Sequence, residues 1–563
     1  MILIALSWII MLVFFVPTGI ATKKLLKINT TESYTIIFLG LFIQCVFLST
    51  FSFFYKLGLE VFILNFIIIV GITIWNKKEV KNSYNDLIIN FKFLTKTSKF
   101  ILVTIFITSL FKCAQSPFII DNEVYYLQTI KWINEYGFVK GLGNLHPFFG
   151  QTSSFHVLQA GFNFNFLTDR INDINGFILV ISSAYFLSEF EKRYKSFGEI
   201  HWIGFVLVFN ILFFQFINSP SPDLSIILLS QVLFYHFLDK ENNLDTFKIV
   251  TLLFLYMVFI KITIAPIGLV IVFMAVKQKK RLCFTVFWGT TIALLFIFKN
   301  YIISGYPLYP FDLFPLKSGW TIPQELLDYV ARITQNANYF KHNKIQNPTY
   351  WMKFNSWLHL GGIYRIFNLG ILVLFAFSLF IKKLQQETKF KTLYAILLIH
   401  FIVLLFNAPS FRFFLPEFVF LTCIILSSIF NKYKVKATSM LYSLLILIVL
   451  PLIVIEFVDY SRITSNKLLH RNELYKWSQI LMPEKNSKYG DIEFEKIKEG
   501  NLDYYSPKEN FFFYGTANGE LPCVNKVQMN YLKKKYNYIP QLRTSDLGDG
   551  FYSKKISKNE LNE

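Results

Sequence analysis

Long apolar runs separated by short polar segments set the pattern of this chain from its first residues. Runs of roughly 17–22 residues are the length that crosses a hydrocarbon layer as a helix. The pattern predicts about fourteen such spans, near residues 2–20, 34–54, 58–75, 100–115, 171–189, 200–217, 223–238, 249–260, 263–276, 282–298, 366–381, 392–407, 413–430 and 438–456. The stretch 249–276 is too long for one ordinary span and too short for two. It reads as two short helices meeting near Lys261 and Pro266, a break that is tolerated only where protein or a water-filled cavity shields the backbone.

The polar segments carry a charge code. Cytoplasmic loops are rich in Lys and Arg. Lys23, Lys24 and Lys27 follow the first run, and Lys77, Lys78, Lys81, Lys92, Lys96 and Lys99 follow the third. Lys192, Arg193 and Lys195 come next, then 277–281, Lys382 with Lys383, and 432–436. With two helices in 249–276, every cluster falls on one side and the N-terminus lies outside. The expected fold is an all-α polytopic membrane protein. Its transmembrane domain covers 1–456, with outer loops 116–170 and 300–364, and a small extracytoplasmic domain of α/β or mixed type covers 457–563.

Composition agrees with that class. Hydrophobic residues make up 54% and charged residues 16%, with 65 Phe and a mean hydropathy of +0.44, which argues against a soluble protein. The formal charge of +20 would suit nucleic acid. Here the lysines sit between apolar runs, as topology signals do, so no nucleic-acid partner is expected. The first run lacks a basic leader and a small-residue cleavage site and reads as a retained span. Four of the five cysteines lie in or beside apolar runs, and no disulfide framework is implied.

The candidate chemistry begins at Asp121-Asn122-Glu123, where the run 100–114 has ended and an amphipathic segment 124–138 begins. Acids near hydrocarbon are costly. A transferase using a sugar on a membrane-bound phosphate needs a base for the acceptor hydroxyl and positive charge for the leaving phosphate. Asp121 is placed to be that base, and Glu123 to share a divalent cation (Mg2+ or Mn2+) with it. Asp121 is equally a good helix N-cap. Asp223, after Pro222, opens the seventh run, either as a second carboxylate or as an ordinary first-turn acid. Lys261 sits in an apolar stretch, where its charge meets a phosphate or snorkels to water. Arg412 stands at an outer span boundary, against the charge rule, as a phosphate clamp or one half of a structural ion pair. His146 and His156 suit hydrogen bonds to sugar or phosphate, or plain loop packing. Tyr306 and Tyr309, in the Gly-Pro-broken exit of the tenth run, suit sugar stacking or an interfacial aromatic belt.

These pieces in this order resemble the GT-C superfamily of integral membrane glycosyltransferases. The residues that carry the resemblance are Asp121 with Glu123, Pro222-Asp223, Lys261 in a broken helix, and the Gly-Tyr-Pro-Leu-Tyr-Pro exit at 305–310. More closely, the chain is similar to a poorly characterised group of large bacterial polytopic membrane proteins often found with cell-surface polysaccharide genes. There the matching segments are 132–137, the Gly-Leu-Gly-Asn-Leu-His run at 141–146, and Leu521-Pro522-Cys523. That group often has a small residue where Glu123 stands, so the resemblance puts the base at Asp121. It implies inverting transfer of a sugar from a polyprenyl-phosphate donor to a cell-envelope glycan, lipid or protein acceptor. The implied setting is the bacterial inner membrane, amid membrane lipids, with the active face extracytoplasmic. Two other classes stay open. A polysaccharide polymerase or ligase would show more outer-loop arginines, and a transporter or flippase would show inverted repeats.

Overall fold

The computed structural model describes residues 1–336, 339, 349–457, 475–489, 492–508 and 511–557. It is mostly helical. The first part runs α1 (Ile2–Leu25), α2 (Ser33–Phe51), α3 (Leu59–Trp75), α4 (Lys77–Phe93), α5 (Lys96–Cys113), α6 (Leu127–Tyr136), α7 (Leu142–Leu145), α8 (Ser154–Gly161) and α9 (Ile174–Phe197). Then come α10 (Asn210–Phe213), α11 (Pro222–Asp239), α12 (Leu244–Ile260), α13 (Leu269–Ala275), α14 (Lys279–Ser304), α15 (Gln324–Asn336) and α16 (Tyr350–Leu358). The series closes with α17 (Ile363–Ser378), α18 (Lys382–Gln386), α19 (Thr388–Asn407), α20 (Leu415–Lys432) and α21 (Ala437–Phe457).

Five helices among the described residues are long and apolar enough to cross a membrane: α1, α2, α14, α19 and the segment Phe411–Lys432 that contains α20. The number rises to seven if two bent pairs, α3 with α4 and α16 with α17, each count as one span. Several of the expected runs take other forms. The run 200–217 is a 3-10 helix, Trp202–Phe209, followed by the single turn α10. A wholly apolar run has no period to report its helix type, and burial on all sides relieves it of the need for a regular lipid-facing helix.

Close backbone packing sets the core. A Cβ on Gly19 would lie 1.9 Å from the Ile36 carbonyl oxygen, and one on Gly40 would lie 1.9 Å from that of Phe15. Small residues at these crossings let α1 and α2 touch backbone to backbone, the usual solution where apolar burial alone cannot drive helix pairing.

The chain breaks at Lys261, which is extended (φ −154°, ψ 117°). A 3-10 segment, Ile262–Gly268, carries Pro266 and leads into α13. A Cβ on Gly268 would meet the Phe254 ring at 2.6 Å, so the chain has turned back beside α12. Arg281 confirms the reversal, because its guanidinium donates to the Asn242 side chain (2.6 Å) and to the Met274 carbonyl (2.6 Å). Both ends of this hairpin lie at one end of the bundle and Lys261 lies at the other.

The bundle therefore has two polar ends, separated by about 27 Å along the 18 residues of α11. At one, Glu189 takes Lys192 (2.8 Å) and Lys240 (3.2 Å), Glu32 takes Lys240 (2.6 Å), and Asp239 takes Arg193 (3.3 Å) and His201 (3.0 Å). At the other lies the candidate site. Over that second end sits the tail: β1 (Phe494–Glu499) paired antiparallel with β2 (Leu502–Pro507), then α22 (Lys526–Tyr536), and β3 (Tyr538–Leu542) paired antiparallel with β4 (Phe551–Lys555). Residues 458–474, next to the expected domain boundary at 456, lie outside the described residues, as do 337–338 and 340–348 of the expected loop 300–364.

Candidate functional site

Four segments deliver one charged residue each. Asp121 follows an extended stretch after α5 and has helical dihedrals (φ −59°, ψ −24°) without a side-chain cap bond. Its carboxylate is therefore free of the capping role its position suggested. One π-helical turn, Asn122–Tyr126, separates it from α6. Such turns are rare and recur at functional sites. Asp223 sits in the first turn of α11 behind Pro222, with Ser221 as N-cap. The preceding loop is tied down by Asn175 of α9, whose amide donates to the Ser219 and Ser221 carbonyls, both at 2.8 Å. Lys261 terminates α12. Arg412 lies in a 3-10 turn, Phe411–Phe414, that leads into α20.

These four meet. Arg412 Nη1 lies 2.9 Å from Asp121 Oδ2 and 3.5 Å from Asp223 Oδ2. Lys261 Nζ donates to Asp223 Oδ1. Asp223 is 3% exposed, whereas the Lys261, Asp121 and Arg412 side chains are 21%, 24% and 29% exposed. The buried aspartate thus stands behind two cations, and the second aspartate closes the group from the open side. Lys261 also rests over the Phe413 ring, 3.7 Å from its centroid, a cation–π contact that holds the ammonium without consuming its donors.

The break that presents Lys261 is held from both sides. Ser153 Oγ donates to the Ile260 carbonyl (2.7 Å). His400 Nε2 lies 2.9 Å from the Thr263 carbonyl, while its Nδ1 is paired with the buried Glu417. Tyr125 and Tyr126 follow Asp121, and the Tyr126 ring lies 4.9 Å from that of His156. None of Phe413, Tyr125, Ser153, His400 or Glu417 stands out in the sequence. The only local signal is Ser153-x-x-His156, which forms a capping box on α8.

The remaining predicted residues lie elsewhere. Glu123 is 2% exposed. Its carboxylate accepts from Ser487 Oγ (2.7 Å), the Lys488 amide (3.0 Å) and Asn122 Nδ2 (3.0 Å). Its own carbonyl takes the Thr516 and Ala517 amides. Burial pushes this carboxyl above the usual range, with the three donors pulling the other way. With Glu123 committed to the tail and Asp121 to Arg412, the pair does not fit a shared divalent cation. Among the described residues no other group of three or more His, Cys, Asp or Glu could hold one. Burial pushes both His146 and His156 down to about 3, so both are neutral at pH 7. His146 packs on Phe149 and reaches the Tyr514 carbonyl (3.3 Å). Tyr309 donates to the Pro147 carbonyl (2.8 Å) and Tyr306 to that of Ile322 (3.0 Å). Both rings are buried in a cluster with Leu326, Leu327 and Tyr329, and neither touches the four charged residues.

The fold and this constellation define a class: a predominantly helical protein whose long apolar helices have the length and composition of membrane spans, with a partly buried network of two acids and two cations at one end. The chain belongs to the family described as a domain of unknown function (DUF8201), whose family model matches residues 1–420. All four charged residues lie inside that match. No curated protein and no solved structure matches the chain.

Proposed function

We propose that this protein is a GT-C-type membrane glycosyltransferase that moves a sugar from a polyprenyl-phosphate donor to a cell-envelope glycan, lipid or protein acceptor. The observation that carries the reading is the meeting of Asp121, Asp223, Lys261 and Arg412 from four separate segments. A neutral set of two acids and two bases, open on one side, suits an anionic ligand. A donor phosphate competes with Asp121 for Arg412 and adds a partner to Lys261. Asp121, released from the guanidinium, accepts the proton of the acceptor hydroxyl. The acceptor oxygen bonds to the anomeric carbon with inversion. The bond from that carbon to the phosphate oxygen breaks, and its electron pair leaves on the lipid phosphate, which the two cations stabilise. Asp223 holds those cations in place and touches neither reacting atom.

In this reading about fourteen apolar segments cross the bacterial inner membrane and the tetrad faces the extracytoplasmic side. Support comes from the opposite end of the bundle, where Lys24, Lys192, Arg193, Lys240 and Arg281 gather, as inward-facing loops do. The test is transfer by the full-length protein in nanodiscs from a panel of polyprenyl-phosphate sugars. Asp121→Asn is expected to cut turnover by about 10²–10⁴-fold while leaving membrane insertion intact. Near-normal turnover by that variant removes Asp121 from the mechanism. Donor binding with no transfer to any acceptor by the wild-type chain favours the flippase or transporter class instead.

A further inference from the structure

The segment expected to be a basic loop, 77–99, is instead mostly helix. α4 bends away from α3 by 93°. The exposed side of α3 is apolar, with Ile67 and Ile74 61% and 72% exposed. With α3 along the membrane normal, α4 lies in the membrane plane. It straps the end of the bundle remote from the tetrad. Lys24 of α1 donates to Asn76 (2.7 Å) and pairs with Glu79 (2.7 Å). The Ser33 amide at the start of α2 donates to Asp86 (3.1 Å), and Ser188 of α9 to Asn90 (3.3 Å).

The outward side of this strap carries two kinds of group. Lys77, Lys78, Lys81 and Lys92 are exposed, and among the described residues no carboxylate pairs with them. The only two acids in the segment, Glu79 and Asp86, are turned inward to Lys24 and Ser33. Beside the lysines, Ile88, Ile89 and Phe91 are also exposed. Apolar side chains and unneutralised lysines on one in-plane helix are what an anionic lipid surface receives, with acyl chains taking the former and phosphates the latter.

We propose that α4 is an in-plane binding surface for anionic phospholipid headgroups, with Ile88, Ile89 and Phe91 seated at the acyl boundary. Two experiments on the full-length protein test this. In neutral detergent, native mass spectrometry compares retention of phosphatidylglycerol, phosphatidylcholine and inorganic phosphate by the wild type and by K77Q/K78Q/K81Q/K92Q. Phosphatidylglycerol is expected to bind preferentially, with affinity falling about fivefold per lysine removed. Equal retention of both lipids, no change in the variant, or competition by inorganic phosphate at matched concentration overturns the assignment. Separately, a nitroxide on I89C in a C283S background reports depth in phosphatidylglycerol vesicles, Cys283 being the exposed cysteine. Greater access for oxygen than for a water-soluble nickel chelate is expected, and the reverse overturns the placement. This second measurement keeps every lysine and so stands even if the quadruple variant does not fold.

Discussion

At the scale of single residues, Asp223 and Lys261 make the sharpest claims. Asp223 is enclosed and faces two cations, Lys261 and Arg412. Removing this carboxylate leaves Lys261 without its ion-pair partner and Arg412 with Asp121 alone, a loss of up to about 3–5 kcal/mol, the range for broken buried pairs. Asp223→Asn is therefore expected to lower the thermal unfolding midpoint in nanodiscs as well as activity, whereas Asp121→Asn, at a more open position, is expected to affect turnover first. Lys261→Met keeps the stem over Phe413 but removes a charged hydrogen bond worth about 1.5–3 kcal/mol. Under the proposed function, KM for the donor should rise about 10–100-fold with the acceptor KM little changed. An unmoved donor KM would make Lys261 structural. Each of the four charged residues was legible in the sequence, because a charge beside a long apolar run is conspicuous. Glu123 was legible too, but its role was not: the donors that claim it, Ser487 and Lys488, lie more than 360 positions away.

At the scale of elements, the broken helix is the part that presents chemistry. The length of 249–276 predicted a break near Lys261, and the chain reverses there. What holds the break open was hidden, because Ser153 and His400 come from distant segments. Ser153→Ala removes one hydrogen bond to the Ile260 carbonyl, about 1 kcal/mol. Its expected signature is a small drop in the unfolding midpoint with a disproportionate drop in donor kcat/KM, read side by side on one preparation. A loss confined to stability would show that Ser153 supports the fold without positioning Lys261. The π-helical turn after Asp121 and the 3-10 form of Trp202–Phe209 were not legible, because hydrophobic pattern distinguishes helix from strand and not one helix type from another.

At the scale of the whole molecule, the tail is docked on the loop that begins at Asp121. Gln128 Nε2 donates to the Gly519 carbonyl (2.7 Å), the Phe551 amide to the Lys140 carbonyl (2.9 Å), and Ser553 to Asn144 (2.7 Å). Gly550 has φ +94°, and a Cβ there would lie 1.9 Å from the Lys140 carbonyl oxygen. Gly550→Ala should therefore loosen the tail, raising hydrogen exchange in β4 without unfolding α1 and α2. Docking also carries a pH dependence through Glu123. Burial raises its carboxyl above the ordinary value of 4.5, so the neutral form is favoured in the docked state. The stabilisation is complete below that ordinary value and is lost as pH rises through the raised one. Exchange protection of β1 and β2 should fall across that window, and Glu123→Gln should flatten the trend.

Apolar run length and the placement of lysines are local properties, written residue by residue. From them the sequence determined that the chain is helical, that its long runs suit a membrane, and which charges stand at helix ends. Which charges meet is a property of packing. Asp121 and Arg412 are 291 positions apart, and only the stacking of α11, α12 and the turn before α20 decides that Asp121 and Asp223 share Arg412 while Glu123, two residues from Asp121, is given to the tail.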